Sequence, residues 1–150
     1  MNQARPQTIL DTNVLVYLHD AQAAAKRSAA HLVIESLEAR GNTLIPAQVL
    51  AELSNVLLRK VGASAGQARL QVERLELAFP IVPLTSRMVL EALRGVEQHG
   101  MSYYDAQIWA AARLSQASMI VSEDFSHGRT VDGVRFIDPF TPEGLEMLSL

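Results

Sequence analysis

Short apolar runs alternate along the chain with longer segments of helical period. "TIL" (8–10) reads as a short buried strand, and "TNVLVYL" behind it as a turn of helix. The Ala-rich stretch 21–40 has no helix breaker before Gly41, which predicts a helix ended by a C′ glycine. "TLIP" (43–46) is a second strand. In 47–60, Val49, Leu50, Leu53, Val56 and Leu57 fall in one stripe at helical spacing. Residues 64–79 read as a helix stopped by Pro80, "IVPL" (81–84) as a third strand, and 86–100 and 102–116 as two more helices. "SMIVS" (118–122) and "VRFID" (134–138) are the fourth and fifth strands.

Strands joined by helix-length connections imply a parallel sheet with both faces covered. Right-handed crossovers turn that pattern into an α/β fold: a three-layer α/β/α sandwich around a central, mainly parallel five-stranded sheet. Residues 1–150 contain no linker, repeat or low-complexity tract, and 62–66 is an interhelical turn, so one domain is expected. Ligands of such sheets bind beyond the carboxyl ends of the strands. Asp11 ends the first strand, and Glu123 and Asp124 directly follow the fourth.

Composition narrows the chemistry. At 49% apolar residues the chain is too hydrophobic for disorder. No apolar run reaches 18 residues and "MNQARPQ" lacks the apolar core of a signal peptide, so a soluble, cytoplasmic protein with no membrane association is expected. With no cysteine, disulfides and thiolate-bound metals are excluded, and any metal site uses oxygen or the four histidines. A net charge of −3 does not by itself announce a nucleic-acid binder. The cations are eleven Arg against two Lys, Lys26 and Lys60. Arg suits bidentate phosphate contacts, though a simple surface preference accounts for the ratio equally well.

Each acid has a bland explanation when taken alone. Asp11 suits the N-cap of the helix after it. Ser102 and Asp105 match an S-x-x-D capping box. Asp124 can open the turn "EDFSHG". Glu52 lies roughly 100° from the centre of its helix's apolar stripe, at the boundary of the buried face, where glutamates are usually solvated. Together the bland readings weaken. The topology gathers Asp11, Asp105 and Asp124 at one sheet edge, and Glu52 is one helical turn beyond the second strand. Crowded carboxylates repel until one is protonated or a cation intervenes. Mg²⁺ or Mn²⁺ prefers such oxygen donors, and metal-assisted phosphodiester hydrolysis uses such clusters.

In order and spacing, "ILDTNVLVYL", "PAQVLAELSNVLLRK", "SYYDAQIWAAA" and "IVSEDFSHG" resemble the PIN domain, and most closely the VapC-type toxins of bacterial toxin–antitoxin pairs. The closing "VDGVRFIDPF" extends the likeness over nearly the whole chain. The resemblance implies an Mg²⁺- or Mn²⁺-dependent ribonuclease acting on RNA. It makes Asp11, Glu52, Asp105 and Asp124 the catalytic, metal-binding acids. Asn13 and Ser122 then orient them from behind, and Glu123 is a neighbour. It also implies a cognate antitoxin that inserts a tail near the acids, and a homodimer.

Other residues say less. Tyr103 and Tyr104 can stack bases or pack beneath the site, and Trp109 reads as core. His127 and Arg129 read as turn residues; His19, His31 and His99 show no ligand spacing. A phosphorelay receiver needs paired acids at the first strand and a lysine near the last, and a haloacid-dehalogenase-like phosphatase needs D-x-D where Asn13 stands. The remaining alternative is a catalytically silent PIN-fold module that binds antitoxin or nucleic acid.

Overall fold

The computed structural model of the chain describes residues 6–150. β1 (Gln7–Leu10) runs into α1 (Thr12–Val16), a single 3₁₀ turn and α2 (Ala24–Arg40). β2 (Thr43–Pro46) leads straight into α3 (Ala47–Val56), whose end widens into a π turn over Leu57–Val61. α4 (Ala65–Ala78), the two-residue β3 (Ile81–Val82), α5 (Ser86–His99) and α6 (Tyr103–Leu114) follow. β4 (Ala117–Val121), β5 (Thr130–Val131), β6 (Val134–Ile137) and α7 (Pro142–Met147) complete the order. Gly41 ends α2 at φ 68°, the left-handed conformation that a C′ glycine adopts without penalty.

The strands lie in the order β3-β2-β1-β4-β6-β5. All neighbours are parallel except β5, which pairs antiparallel with β6. The sheet therefore has six strands, where the apolar pattern predicts five. The added strand is half of a hairpin: Val131 pairs with Val134 across Asp132 (φ 46°) and Gly133 (φ 79°). Asp-Gly suits a two-residue turn with positive φ at both positions. The segment around it, "TVDGV", is too short and too polar to register as an apolar strand. Pro142–Met147 is likewise a helix that the apolar pattern does not announce.

Successive strand residues point to opposite faces, and Ile9 and Leu10 on β1 are both fully buried, as are Ile120 and Val121 on β4. Both faces of the central strands are thus covered, giving the predicted three-layer α/β architecture. On one flank, α5 and α6 approach closely because Gly95 leaves room for the Trp109 ring and Ala106. A Cβ at Gly95 would lie 2.9 Å from Cε3 of the fully buried Trp109, whose Nε1 donates to the Val131 carbonyl at 3.2 Å.

Chain order reverses at β1: β2 and β3 extend to one side, β4 and β6 to the other. The β1–β4 boundary is the switch point, where crossovers leave in opposite directions and open a crevice. Leu10 pairs with Val121, so Asp11 and Ser122 emerge side by side there.

Candidate active site

Asp11 is the buried centre of this crevice. Its backbone N–H donates to the Val121 carbonyl at 3.1 Å, which ties it to β4. Its Oδ1 accepts from Thr12 N at 2.7 Å, capping α1 as its helix-start position predicts. Its Oδ2 accepts from Ser122 Oγ at 2.8 Å. Ser122, itself fully buried, accepts from Asn13 Nδ2 at 2.8 Å and from Asp124 N at 3.2 Å. Asn13 Oδ1 in turn accepts from Glu123 N at 3.1 Å. One serine hydroxyl thus links the first acid to the loop that carries Glu123 and Asp124.

Glu52 reaches the crevice from α3, half-buried at the boundary that its phase on the helix predicts. Both of its oxygens are held: Thr12 Oγ1 donates to Oε2 at 2.8 Å and Gln48 Nε2 to Oε1 at 2.7 Å. Gln48 and Glu52 are four apart, so they share one helix face. Thr12 follows Asp11 in sequence, and α1 and the first acid therefore fix the position of the second.

Glu123 has a different set of partners. Lys26 Nζ of α2 donates to its Oε2 at 2.7 Å and the Tyr17 hydroxyl to its Oε1 at 2.9 Å. Lys26 also lies 4.9 Å from the Tyr17 ring centroid and 5.4 Å from that of Phe140. These contacts hold the Lys26 pKa above its ordinary value, the Glu123 and Tyr17 hydrogen bonds foremost. The pairing neutralises Glu123, and Asp124 beside it is left exposed.

Thr12, Asn13, Glu52, Glu123 and Asp124 line one open groove of about 550 Å³, together with Tyr17, Asn55 and Lys60. Neither the buried Asp11, which lies behind Thr12 and Asn13, nor Asp105 is part of that lining. Asp105 stands half-buried on the first turn of α6, one residue after Tyr104, whose carbonyl lies 3.4 Å from Gln48 Nε2. The S-x-x-D capping box does not form, since the Ser102 side chain makes no cap hydrogen bond. Asp105 is therefore free of the structural duty its spacing suggests. Tyr104 is exposed, Trp109 is core, and His127 Nδ1 accepts from Asp138 N, at the end of β6, at 3.1 Å. The partners missed by pattern reading are Thr12, Gln48, Tyr17 and Lys26. Only Gln48 had a local signal, its i, i+4 spacing to Glu52.

Burial dominates the electrostatics. Desolvation pushes the Asp11 carboxyl up to about 6, against the opposing hydrogen bonds from Ser122 and Thr12. The negative charges of Glu52 and Asp124 add to the rise. Among the described residues no three Asp, Glu or His side chains form a ready-made metal cage. The donors themselves are hard carboxylate oxygens around an under-neutralised buried acid, a set that suits Mg²⁺ or Mn²⁺ in its chemistry.

A family model described as PIN domain matches residues 8–132, and the chain belongs to that family. A search of curated protein sequences finds no match. Among solved structures, the chain is similar to a Mycobacterium tuberculosis protein, VapC20, described as a sarcin–ricin loop cleaving toxin. That match has a TM-score of 0.67 at 22% identity, over 86% of this chain and 99% of that one. It is also similar to a chain of a toxin–antitoxin complex from Klebsiella pneumoniae (TM-score 0.66, 18% identity, 89% and 98% covered). A third likeness is to VapBC2 from Rickettsia felis bound to a DNA fragment of its promoter (TM-score 0.63, 18% identity, 86% and 96% covered). Among the described residues no helix is long and apolar enough to cross a membrane.

Proposed function

We propose that the chain is an Mg²⁺- or Mn²⁺-dependent endoribonuclease and acts as the toxin of a toxin–antitoxin pair. The observation that carries this reading is Asp11: a buried carboxyl raised to about 6 at the switch point of the sheet, with Glu52 and Asp124 adding negative charge. Such a group is costly to a metal-free protein and useful to a metal site. The PIN membership and the toxin likenesses support the same reading.

In this proposal Asp11, Glu52, Asp105 and Asp124 hold the metal. When bound, a divalent ion supplies Lewis acidity toward the phosphodiester and lowers the pKa of a water. The chain's own residues set the geometry. Ser122 and Thr12 orient the Asp11 carboxylate, and Thr12 and Gln48 fix Glu52. Asn13 and Ser122 hold the backbone of the loop bearing Asp124. Lys26 removes the charge of Glu123, which limits the crowding of acids. The partners proposed are single-stranded RNA as substrate, a cognate antitoxin and a second copy of the chain.

One observation favours the silent binding module instead: Glu52 and Glu123 are already engaged by protein donors on both oxygens. The two readings separate in one assay. Purified protein is incubated with single-stranded RNA and Mn²⁺, with and without EDTA, beside Asp11→Asn and Asp105→Asn. The ribonuclease reading expects cleavage that EDTA stops and that both variants lack. Equal cleavage by wild type and Asp105→Asn would overturn it.

A further inference from the structure

The acidic groove does not end at the acids. It shares Val16, Asp20, Val56 and Lys60 with a second cavity of about 530 Å³. That cavity shares His19 and Val61 with a third of about 420 Å³, which reaches Gln67 and Gln71 on α4. The three form one track leading away from the acids, between the 3₁₀ turn after α1 and the end of α3.

The π turn shapes this wall. In a regular helix Val56 and Val61 would be rotated roughly 140° apart. A turn closed by i→i+5 bonds brings residues five apart onto one side, and Val56, Lys60 and Val61 all line the second cavity. Lys60 is the cation at the junction of the first two cavities, exposed and without an ion pair among the described residues. Lys26, the other lysine, is committed to Glu123. Asp20 lines the same two cavities as Lys60, its Oδ1 accepting from Gln22 N at 2.9 Å. Beyond it the lining is neutral at Gln22, Gln67 and Gln71 and apolar at Leu57, Val61 and Ala63, with His19 between the second and third cavities.

We infer that this track carries the single-stranded RNA flanking the cleaved bond, with Lys60 holding a backbone phosphate next to the acidic centre. The inference rests on the ribonuclease reading. An ammonium immediately beyond a carboxylate cluster complements a phosphodiester chain, where one phosphate sits at the acids and the next must be neutralised by the protein. A neutral peptide chain has no use for that alternation.

The test is steady-state cleavage of single-stranded RNA oligonucleotides of increasing length with Mn²⁺, over a range of salt concentrations. Lys60→Gln is expected to raise KM about three- to tenfold with kcat unchanged. It should also shallow the log–log salt dependence of kcat/KM by about 0.7, one single-strand phosphate contact. Lys60→Arg keeps both near wild type. Arg87→Gln on α5 lines none of the three cavities and controls for loss of net charge. Wild-type KM and salt slope in Lys60→Gln would overturn the track while leaving the ribonuclease standing. Weaker association with a co-expressed protein partner, at unchanged RNA KM, would overturn it too and assign the groove to protein. A wild type that cleaves no RNA would instead remove the function on which the track rests.

Discussion

The Ser122 hydroxyl donates to Asp11 Oδ2 at 2.8 Å, across 111 positions of sequence. The same oxygen accepts from Asn13 Nδ2 and from Asp124 N. Ser122→Ala therefore leaves the Asp124 N–H without this acceptor, leaves Asn13 Nδ2 only its 3.5 Å contact with Asp11 Oδ2, and strips one hydrogen bond from a buried carboxylate. Loss of this buried set is expected to lower stability by about 1–3 kcal/mol. The hydrogen bond from Ser122 opposes the rise of the Asp11 pKa, so its removal moves that pKa further above about 6. In EDTA, the titration of Asp11 followed by NMR then shifts to higher pH, and a curve superimposable on wild type would refute the link.

On the ribonuclease reading, Asp11→Asn should abolish cleavage and stabilise the metal-free fold. The sign follows from the raised pKa. The folded state binds the Asp11 proton more tightly than the unfolded chain, whose carboxyl titrates near 3.8. The contribution of Asp11 to stability is intact below pH 3.8, falls as pH rises through about 6, and is fully lost at neutral pH. A difference of about two pK units corresponds to roughly 3 kcal/mol as an upper bound. In EDTA at pH 7.5 the variant should melt above wild type, and the gap should close by pH 4. Millimolar Mn²⁺ should raise the melting temperature of wild type and leave that of Asp11→Asn in place.

The placement of Asp11 follows directly from sequence, because a short apolar run ending in an acid marks a strand end, and parallel topology makes strand ends converge. Glu52 is legible for a similar reason: its phase on α3 predicts the half-buried position it occupies. Local chemistry misleads at Ser102 and Asp105, where the spacing of a capping box is present and the hydrogen bond is not. Long-range pairs are the illegible part. Lys26 and Glu123 meet across 97 positions and Thr12 and Glu52 across 40, distances that no periodicity encodes. The β5–β6 hairpin is a different case. Its Asp132-Gly133 turn is a strong local signal, masked by the polar residues around it.

Gly95→Ala tests the close approach of α5 to α6. Alanine favours a helix interior over glycine by about 1 kcal/mol, so an unpacked helix would gain stability. Here the new Cβ would meet Trp109 Cε3 at 2.9 Å and Ala106 Cβ at 3.3 Å. The ring cannot swing aside without losing its hydrogen bond to the Val131 carbonyl. Overpacking of this kind costs about 1–3 kcal/mol, and the net effect expected in chemical denaturation is destabilisation. A gain in stability would mean that the interface relaxes freely.

Thr12→Val separates the positioning of Glu52 from the fold. Valine keeps the shape of threonine, and the Asp11 cap depends on the backbone N–H of residue 12, which survives. What disappears is the hydroxyl that donates to Glu52 Oε2 at 2.8 Å. Gln48 still holds Oε1, so the carboxylate becomes free to rotate about one remaining hydrogen bond. Supporting donors of this kind typically change metal affinity or activity by about 10–100-fold. The expected outcome is a rise of at least about tenfold in the Mn²⁺ concentration needed for half-maximal cleavage, with a melting temperature in EDTA close to wild type. Thr12→Ser restores the hydroxyl and should restore the metal requirement. If Thr12→Val titrates with Mn²⁺ as wild type does, the Thr12–Glu52 hydrogen bond serves packing alone, and Glu52 is oriented by Gln48.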